Sequence, residues 1–487
     1  MPGEGSRAKL LHSRYNPQAE AARYIDSLRI KEATECFILI EPGLGYMIPV
    51  LREKFKECKI IALHIEKDQN HDETTAGNFT GCSVFHGTER KYLIQFLEKE
   101  VSDNNTDSIR IIEWRPSLNY YKEDYILLLS HVVNFLKRVS AEKRTAAHFG
   151  KRWFRNFFRN FLFINKTVLY KQTYIPVIIT GSGPGLEQAM PLILQMQDNC
   201  LIIAASSSVM ALCSFGIKAD IVIATDGGNW ALKHLTGAYR SLQKNQLGAG
   251  IYTEKRSLTA SNSCSILAAN LCAALPSQSG GVPFLIISDG SFWQSVILRE
   301  LNFPSVIIPE RGTVTAAAVD LAAHLSGGSI YLAGMDLSNN DIRTHAKPYA
   351  FDSIFFGNAN RIHPFYSISY TRASLLKEGG SMDIYAQWFK DHTVPRQIFS
   401  LTENNIFIKS KPEKLKKQKN KDEIFSVSDV KNAPSLSGKK TLNALFSAMR
   451  NPQYGDKIKK ELTSLLSLEN EKYITEEQII RELRVEN

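Results

Sequence analysis

Between residues 175 and 337 the chain repeats one theme: a short β-branched run that ends in a small or acidic residue. The runs are PVIITGSG, CLIIAASS, ADIVIATD, PFLIISDG, SVIIPE and SIYLAGMD, and stretches of helical period, GLEQAMPLILQM and TVTAAAVDLAAHL, lie between some of them. Alternation of such runs with helices predicts a parallel sheet in an α/β fold. Gly, Ser and Asp at the run ends mark the carboxyl edge, where open α/β sheets bind ligands. A catalytic or binding domain belongs here.

The rest of the chain is organised around that block. With 487 residues the chain suggests roughly three units, at about 150 residues per domain. CFILIEPGLGYMIPVLREKF followed by KIIALHIEKD reads as strand, glycine turn, helix and strand, with Gly43 and Gly45 at the turn and Glu66 closing the second strand. That layout resembles a dinucleotide-binding unit, but Pro49 occupies the third-glycine region. A fold-supporting α/β domain and a working nucleotide site both remain open. Residues 124–170 look mainly helical, and KRWFRNFFRNFLFINKTVL alternates aromatic and basic residues at helical period. A helix bridging two domains with buried aromatics, or a membrane-surface helix, fits that pattern. The expected layout is an N-terminal α/β domain (1–123), a helical connector (124–172), a Rossmann-like central domain (173–381) and a helical C-terminal region (382–487) with a Lys-rich linker at 409–423.

Charge and cysteines narrow the classes. The net charge of +10 is concentrated in GKRWFRNFFRN and KSKPEKLKKQKNK, and no nucleic-acid module accompanies either, so no nucleic-acid partner is expected. The seven cysteines form no CxxC pair and no zinc-spaced cluster, which predicts reduced, buried thiols. No apolar run is long enough to span a bilayer and no secretory core begins the chain, so a cytoplasmic protein is expected.

Several residues could carry chemistry. Gly181, Ser182, Gly183, Pro184 and Gly185 follow the strand VIIT, where backbone amides and a helix N-terminus can receive an anion. No Lys-Ser/Thr ending makes this a Walker loop, and a plain tight turn reads the same way. Asp226 in IVIATDGGN could orient a ribose or hold Mg²⁺ through water, or cap a helix; Asp289 and Asp336 repeat the strand-end pattern. Gly312, Thr313 and Thr315 offer a second anion nest or an ordinary N-cap. His345, Tyr349 and His363 follow the last strand in a loop-like stretch; histidine can take a hydroxyl proton and tyrosine can stabilise a departing phosphate. No DxD pair points to a resident metal.

Taken in order, GSGPGLEQ, AASSSVMALCSFGIKADIVIATD and RGTVTAAAVDLAAHLSGGSIYLAGMDLS with His345 resemble the motility accessory factor family. That family carries a domain similar to the archaeal 6-hydroxymethylpterin diphosphokinase, MptE. SRYNPQAEAARYI, EPGLGYMIPVL and GKRWFRNFFRN are similar to the family's preceding segments, so the resemblance covers roughly residues 10–370. The central segment also resembles bacterial sialyltransferases through GSGPGL and SIYLAGMDLSNNDIRTHAKPYAFD.

These resemblances imply transfer of a nonulosonic, sialic-acid-like sugar from a CMP donor to Ser or Thr hydroxyls of flagellin, with no further cofactor. They imply nucleotide contacts from Gly181 to Gly185. Ser206 and Ser207 stand where the sialyltransferases have a donor-holding Asn. Thr313 would donate to the donor's carboxylate or phosphate, Tyr349 to the leaving phosphate, and His363 or His345 would act as base. Asp226 and Asp336 join the donor-binding candidates as strand-end acids. The MptE likeness implies an alternative, pyrophosphoryl transfer from Mg-ATP. A non-catalytic flagellin adaptor is the third class.

Overall fold

The computed structural model describes residues 11–66, 77–101, 108–248, 265–337, 342–357, 359–374, 385–386, 388–389, 397–403, 406–410, 421–430, 438–468 and 473–484. Most of the Lys-rich segment and much of MDIYAQWFKDHTV lie outside them. The chain forms two compact units, Met1–Ala146 and Ala147–Asn487.

The first unit is built on four parallel strands, β1 (Cys36–Ile40), β2 (Lys59–His64), β3 (Ser83–His86) and β4 (Ile109–Glu113), in the order β3-β2-β1-β4. The period-2 alternation of a strand sorts its side chains. Cys36, Ile38 and Ile40 face α3 (Arg90–Val101), whereas Phe37 and Leu39 face α1 (Pro17–Ser27) and α2 (Met47–Lys54). The short α4 (Arg115–Tyr121) follows β4.

At the β1–α2 turn, Gly43 and Gly45 have φ of +60° and +73°. The His12 ring lies where a side chain on Gly43 would go, and its Nε2 accepts the Leu44 amide at 3.0 Å. Phe79 does the same at Gly45. His12 also stacks on Trp114, with ring centroids 5.3 Å apart. The glycines of this turn make room for the unit's own aromatic side chains, and one of its amides is taken by an imidazole.

The long helix α5 (Glu123–Asn160) contains the boundary between the units. In the second unit its aromatic stripe, Phe154, Phe157 and Phe158, is buried together with Phe161 just past its end, with Phe157 and Trp293 rings 4.6 Å apart. Spacing of i, i+3 and i+4 places the first three on one helix face. The helical reading of 124–172 ends near Asn160, because Lys166–Tyr170 forms a strand, β5. Among the described residues no helix is long and apolar enough to cross a membrane.

The second unit centres on ten strands, continuing with β6 (Val177–Thr180), β7 (Leu201–Ala205), β8 (Ile221–Ala224), β9 (Ile266–Asn270), β10 (Phe284–Ser288), β11 (Ser305–Ile307), β12 (Ile330–Ala333), β13 (Ile398–Ser400) and β14 (Phe425–Asp429). The order is β13-β12-β6-β7-β8-β9-β10-β5-β14, with β11 paired to β10. Every pairing is parallel except that of β14 with β5.

Helices cover both faces. Ile178, Ile202, Ala204 and Val222 share a core with α6 (Gly185–Met196), α7 (Val209–Ser214), α8 (Asn229–Gly248) and α9 (Phe292–Glu300). Val177, Ile179, Ile203 and Ile223 meet α10 (Val314–Leu325) on the other face. After β12 come α11 (Asp352–Phe356) and α12 (Phe365–Ser374). The C-terminal helices α13 (Gly438–Arg450), α14 (Gly455–Leu465) and α15 (Glu476–Arg484) add Leu445, Ile458, Leu462 and Ile479 to the first of these cores. The architecture is the expected α/β class with Rossmann-like parallel sheets. The tail is woven into it, since β14 extends the sheet.

Two asparagines of α5 tie that helix to the loop after β9. The buried Asn160 donates through Nδ2 to the carbonyls of Leu271 and Ala273, each at 2.7 Å, and Asn156 donates to that of Cys272 at 3.0 Å. Replacing Asn160 strands two buried carbonyls. Asn160→Ala is expected to cost about 2–4 kcal/mol of stability, read as a lower midpoint in denaturant unfolding.

Candidate functional site

Strand order reverses once beside β6. From β6 the chain winds outward through β7, β8, β9 and β10, then returns through α10 to place β12 on the opposite side of β6. At such a reversal the flanking helices leave on opposite faces and a crevice forms outside the carboxyl ends, the usual ligand site of open α/β sheets. The residues at these two ends are Gly181–Gly185 after β6 and Gly334–Asp336 after β12.

Their contact is made by backbone. The Gly181 amide donates to Ala333 O at 2.8 Å and the Gly183 amide to Gly334 O at 2.9 Å. A Cβ on Gly181 would lie 2.5 Å from the Gly334 oxygen, and one on Gly334 (φ +67°) would lie 2.5 Å from the Gly181 oxygen. Asp336 then reaches into the turn, where its Oδ2 accepts the Gly185 amide at 2.8 Å. A Cβ on Gly183 or Gly185 would lie about 2 Å from that carboxylate, at 2.1 Å and 2.2 Å respectively. Burial pushes the Asp336 pKa up, against the pull of the amides that bond to it. The turn thus holds one anion already, a carboxylate of its own chain. Pro184 is the residue before α6, without a side-chain cap.

A segment beyond β12 docks on this turn. The Ala346 amide donates to Ser182 O at 2.8 Å, and Glu187 of α6 accepts the Lys347 amide at 2.8 Å while pairing with Arg343. This fastening places His345 and Tyr349 beside the glycine turn. Their rings stack, with centroids 4.0 Å apart at 18°, and His345 Nδ1 lies 2.9 Å from Thr344 Oγ1. Tyr349 is buried, its amide donates to Asp352 at 3.1 Å, and Asp352 also pairs with Lys347.

Two further residues join them that pattern reading missed. His234 of α8 meets Tyr349 and Phe351, with centroids 5.3 Å and 4.3 Å apart, and its Nδ1 is buried with no partner. Arg372 of α12 lies over Phe355, with Cζ 3.7 Å from the ring centroid. Gly237, one turn from His234, lets α8 approach Met210 and Ala350 closely. In sequence the only trace of this was a histidine and a glycine three apart on a helix.

The cluster has a distinct electrostatic character. Burial lowers the His345 pKa to about 3, with Arg372, His234 and Lys347 adding to the effect, and burial lowers that of His234 to about 4. Burial raises the Tyr349 pKa despite the opposing pull of Arg372. At neutral pH both imidazoles are uncharged and the tyrosine hydroxyl keeps its proton.

The remaining candidates take other places. Ser206 is buried and Ser207 half-buried just after β7, and the Ser206 amide bonds to Ile223 O at 3.1 Å. Asp226 is exposed and accepts the Gly228 amide at 2.7 Å, the local turn that an aspartate makes before a helix. Thr313 caps α10 by accepting the Ala316 amide at 3.0 Å. Asp289 is held by the Ser291 amide and Gln294, both at 2.7 Å. His363 lies in an exposed turn whose backbone is bonded to Asn360. The structure therefore gathers Gly181–Gly185, Asp336, His345 and Tyr349, and gives Asp226 a local turn bond and Thr313 a helix-capping one. Among the described residues no group of three or more His, Cys, Asp or Glu side chains is arranged to hold a metal ion.

The depressed histidines make stability pH-dependent in a defined direction. Each ring binds a proton at about 6.5 when unfolded, but only near 4 (His234) or 3 (His345) when folded. The unfolded chain then holds more protons below pH 6.5, so stability from this pair is complete above 6.5 and is lost as pH falls toward 4. The thermal midpoint should fall over that window, with a loss of ~3 kcal/mol per ring, and a His234→Gln/His345→Gln double variant should flatten this part of the profile.

Comparison with known proteins bears on the same segment. Residues 151–341 match the family model described as 6-hydroxymethylpterin diphosphokinase MptE-like. An uncharacterized protein of Treponema pallidum (strain Nichols) is 27% identical over 314 residues, covering 64% of each chain. A second from that organism is 21% identical over 384 residues, covering 74% of this chain and 61% of its own. This chain thus spans less than two thirds of those relatives. A solved structure, the MAf glycosyltransferase from Magnetospirillum magneticum AMB-1, is similar with a TM-score of 0.47 and 14% identity, covering 88% of this chain and 65% of that one. The segment that carries the crevice is the one similar to the MptE-like family.

Proposed function

We propose that the second unit is a transferase that takes a nonulosonic sugar from a CMP donor and moves it to a Ser or Thr hydroxyl, with flagellin as the acceptor. The observation that carries this reading is the hydrogen bond from Ala346 to Ser182, which fastens a histidine–tyrosine pair to a glycine turn at the strand-order reversal. A nucleotide site and a proton acceptor then share one place.

The chemistry follows from the protonation states. Neutral His345 accepts the proton of the acceptor hydroxyl as that oxygen attacks the anomeric carbon. The bond from that carbon to the CMP phosphate oxygen breaks, and the electron pair leaves with the phosphate. The Tyr349 hydroxyl, kept protonated by burial, donates a hydrogen bond to the departing oxygen. By itself His345 is a weak base, because burial and the neighbouring cations oppose its protonation. A donor phosphate supplies the opposite charge and strengthens it.

The family match supports a second reading, pyrophosphoryl transfer from Mg-ATP, through the description the family carries. Calorimetry separates the two, since CMP binding without ATP-Mg binding favours sugar transfer and the reverse favours the kinase. Substitutions at Gly183 are poor probes of either, because any side chain there collides with Asp336. His345→Gln is expected to keep CMP affinity while lowering turnover roughly 10²–10⁴-fold, and Tyr349→Phe to lower it by a smaller factor. The readout is the intact mass of flagellin after incubation with donor and enzyme. An unmodified mass with the wild-type protein and a CMP-nonulosonate would sink the proposal.

A further inference from the structure

We propose that His234, His345, Tyr349 and Arg372 form an oxyanion pocket in which the Arg372 guanidinium receives a phosphate or carboxylate group of the substrate. The inference deepens the transferase reading and rests on it for the place of His345. Its own support is a charge imbalance in the cluster.

Arg372 is half-buried on α12, yet among the described residues its guanidinium makes no ion pair and no hydrogen bond. Its contact is the face of Phe355. A guanidinium has five donors in a planar fork suited to carboxylate or phosphate, and a cation–π contact of ~0.5–2 kcal/mol uses none of them. The nearby carboxylate is already engaged, since Asp352 pairs with Lys347 and accepts the Tyr349 amide. His234 adds a buried ring nitrogen without a partner. The field of Arg372 reaches both rings at the candidate site, lowering the pKa of His345 and opposing the rise at Tyr349. Burial in turn lowers the pKa of Arg372 itself.

The cluster therefore sets two cations, Lys347 and Arg372, against the one carboxylate of Asp352, whose field also reaches Arg372. A folded protein seldom leaves a buried ring nitrogen such as that of His234 without a partner unless a water or a ligand supplies one. The Ala346–Ser182 bond places the opening in this charge balance beside the glycine turn, whose Gly185 amide already serves Asp336. An incoming anion finds its charge partner at Arg372 rather than at that amide. Both the phosphate of a nucleotide and the carboxylate of an acidic sugar have the required chemistry, and a bidentate Arg contact suits either.

The test follows the His345 ring by histidine-selective NMR in the full chain, titrated with inorganic phosphate and with trifluoroacetate, a carboxylate that stays ionised at low pH. Either anion is expected to raise the His345 titration midpoint in the wild type and to leave it unmoved in Arg372→Gln. Arg372→Lys, which keeps the charge without the fork, should retain part of the effect and serves if the Gln variant does not fold. A response to phosphate alone assigns the pocket to a phosphate group, and a response to trifluoroacetate alone to a carboxylate. An equal shift in Arg372→Gln, or no shift in the wild type with either anion, would overturn the proposal. Calorimetry with CMP and cytidine keeps the donor reading separate. CMP should bind Arg372→Gln at least about tenfold more weakly than the wild type, with cytidine unaffected. If CMP binds both proteins equally and phosphate leaves His345 unmoved in the wild type, the phosphate assignment falls and the CMP donor stands. If phosphate moves His345 but CMP does not bind, the donor falls and the pocket stands.

Discussion

The carboxyl ends of β6 and β12 meet as bare backbone, and the site depends on that meeting. Gly181 and Gly334 approach so closely that a Cβ on either would overlap the other's carbonyl oxygen. This contact lets a strand formed late in the unit lie against the first strand of the βα succession. That return reverses the strand order and opens the crevice. It also sets where everything else can go. Asp336, two residues past Gly334, falls under the glycine turn and takes the Gly185 amide. The chain beyond comes back onto Ser182 through Ala346, and His345 and Tyr349 arrive with it. A carboxylate on the first amide of α6 also favours the positive end of that helix, so the contact and its charge reinforce one another.

Much of this architecture was legible in the sequence, for a physical reason. A strand covered on both faces must be apolar along its whole length, so VIIT, LIIAA and IYLA announce themselves without any knowledge of their partners. The glycine turn was legible too, but the reason for its glycines was not. They read as room for an anion brought by a ligand, whereas the nearest anion is Asp336 and the nearest backbone is that of Gly334. Those partners lie far along the chain, and local pattern carries no record of them. The same limit applies in the first unit, where the sequence left Gly43 and Gly45 open between a nucleotide turn and a fold-supporting one, and the side chains they accommodate, His12 and Phe79, come from elsewhere in the chain.

The site was half legible. His345 and Tyr349 stood out because they follow a strand end, a position local to the chain. His234 did not, since NWALKHLTGAYR reads as an ordinary helix with a histidine on it. Its role arises from packing, because Gly237 lets α8 come against Met210 and Ala350 and so turns His234 toward Tyr349 and Phe351. Arg372 was hidden for a related reason. An arginine in a polar helix is usually solvated, and only the placement of Phe355 beneath it holds it half out of water. Thr313 and Asp226 show the converse: their sequence signals were real, and the contacts they make in the fold are a helix cap and a local turn.

The electrostatics of the cluster bear on how such a site can be selective in time. Burial, with the fields of Arg372, His234 and Lys347 added, opposes protonation of His345, which holds its pKa near 3 and makes it a poor proton acceptor. An anion beside Arg372 cancels part of that field. Linkage then requires the converse: whatever free energy the anion adds to protonation of His345, a protonated His345 adds to binding of the anion. Under the transferase reading the two events become one. The base gains strength when donor is present, and the imidazolium formed by taking the acceptor's proton holds the departing phosphate more tightly than the neutral ring did. A histidine buried among cations, which would be an odd choice for a base in isolation, is thereby suited to a reaction whose substrate brings the negative charge.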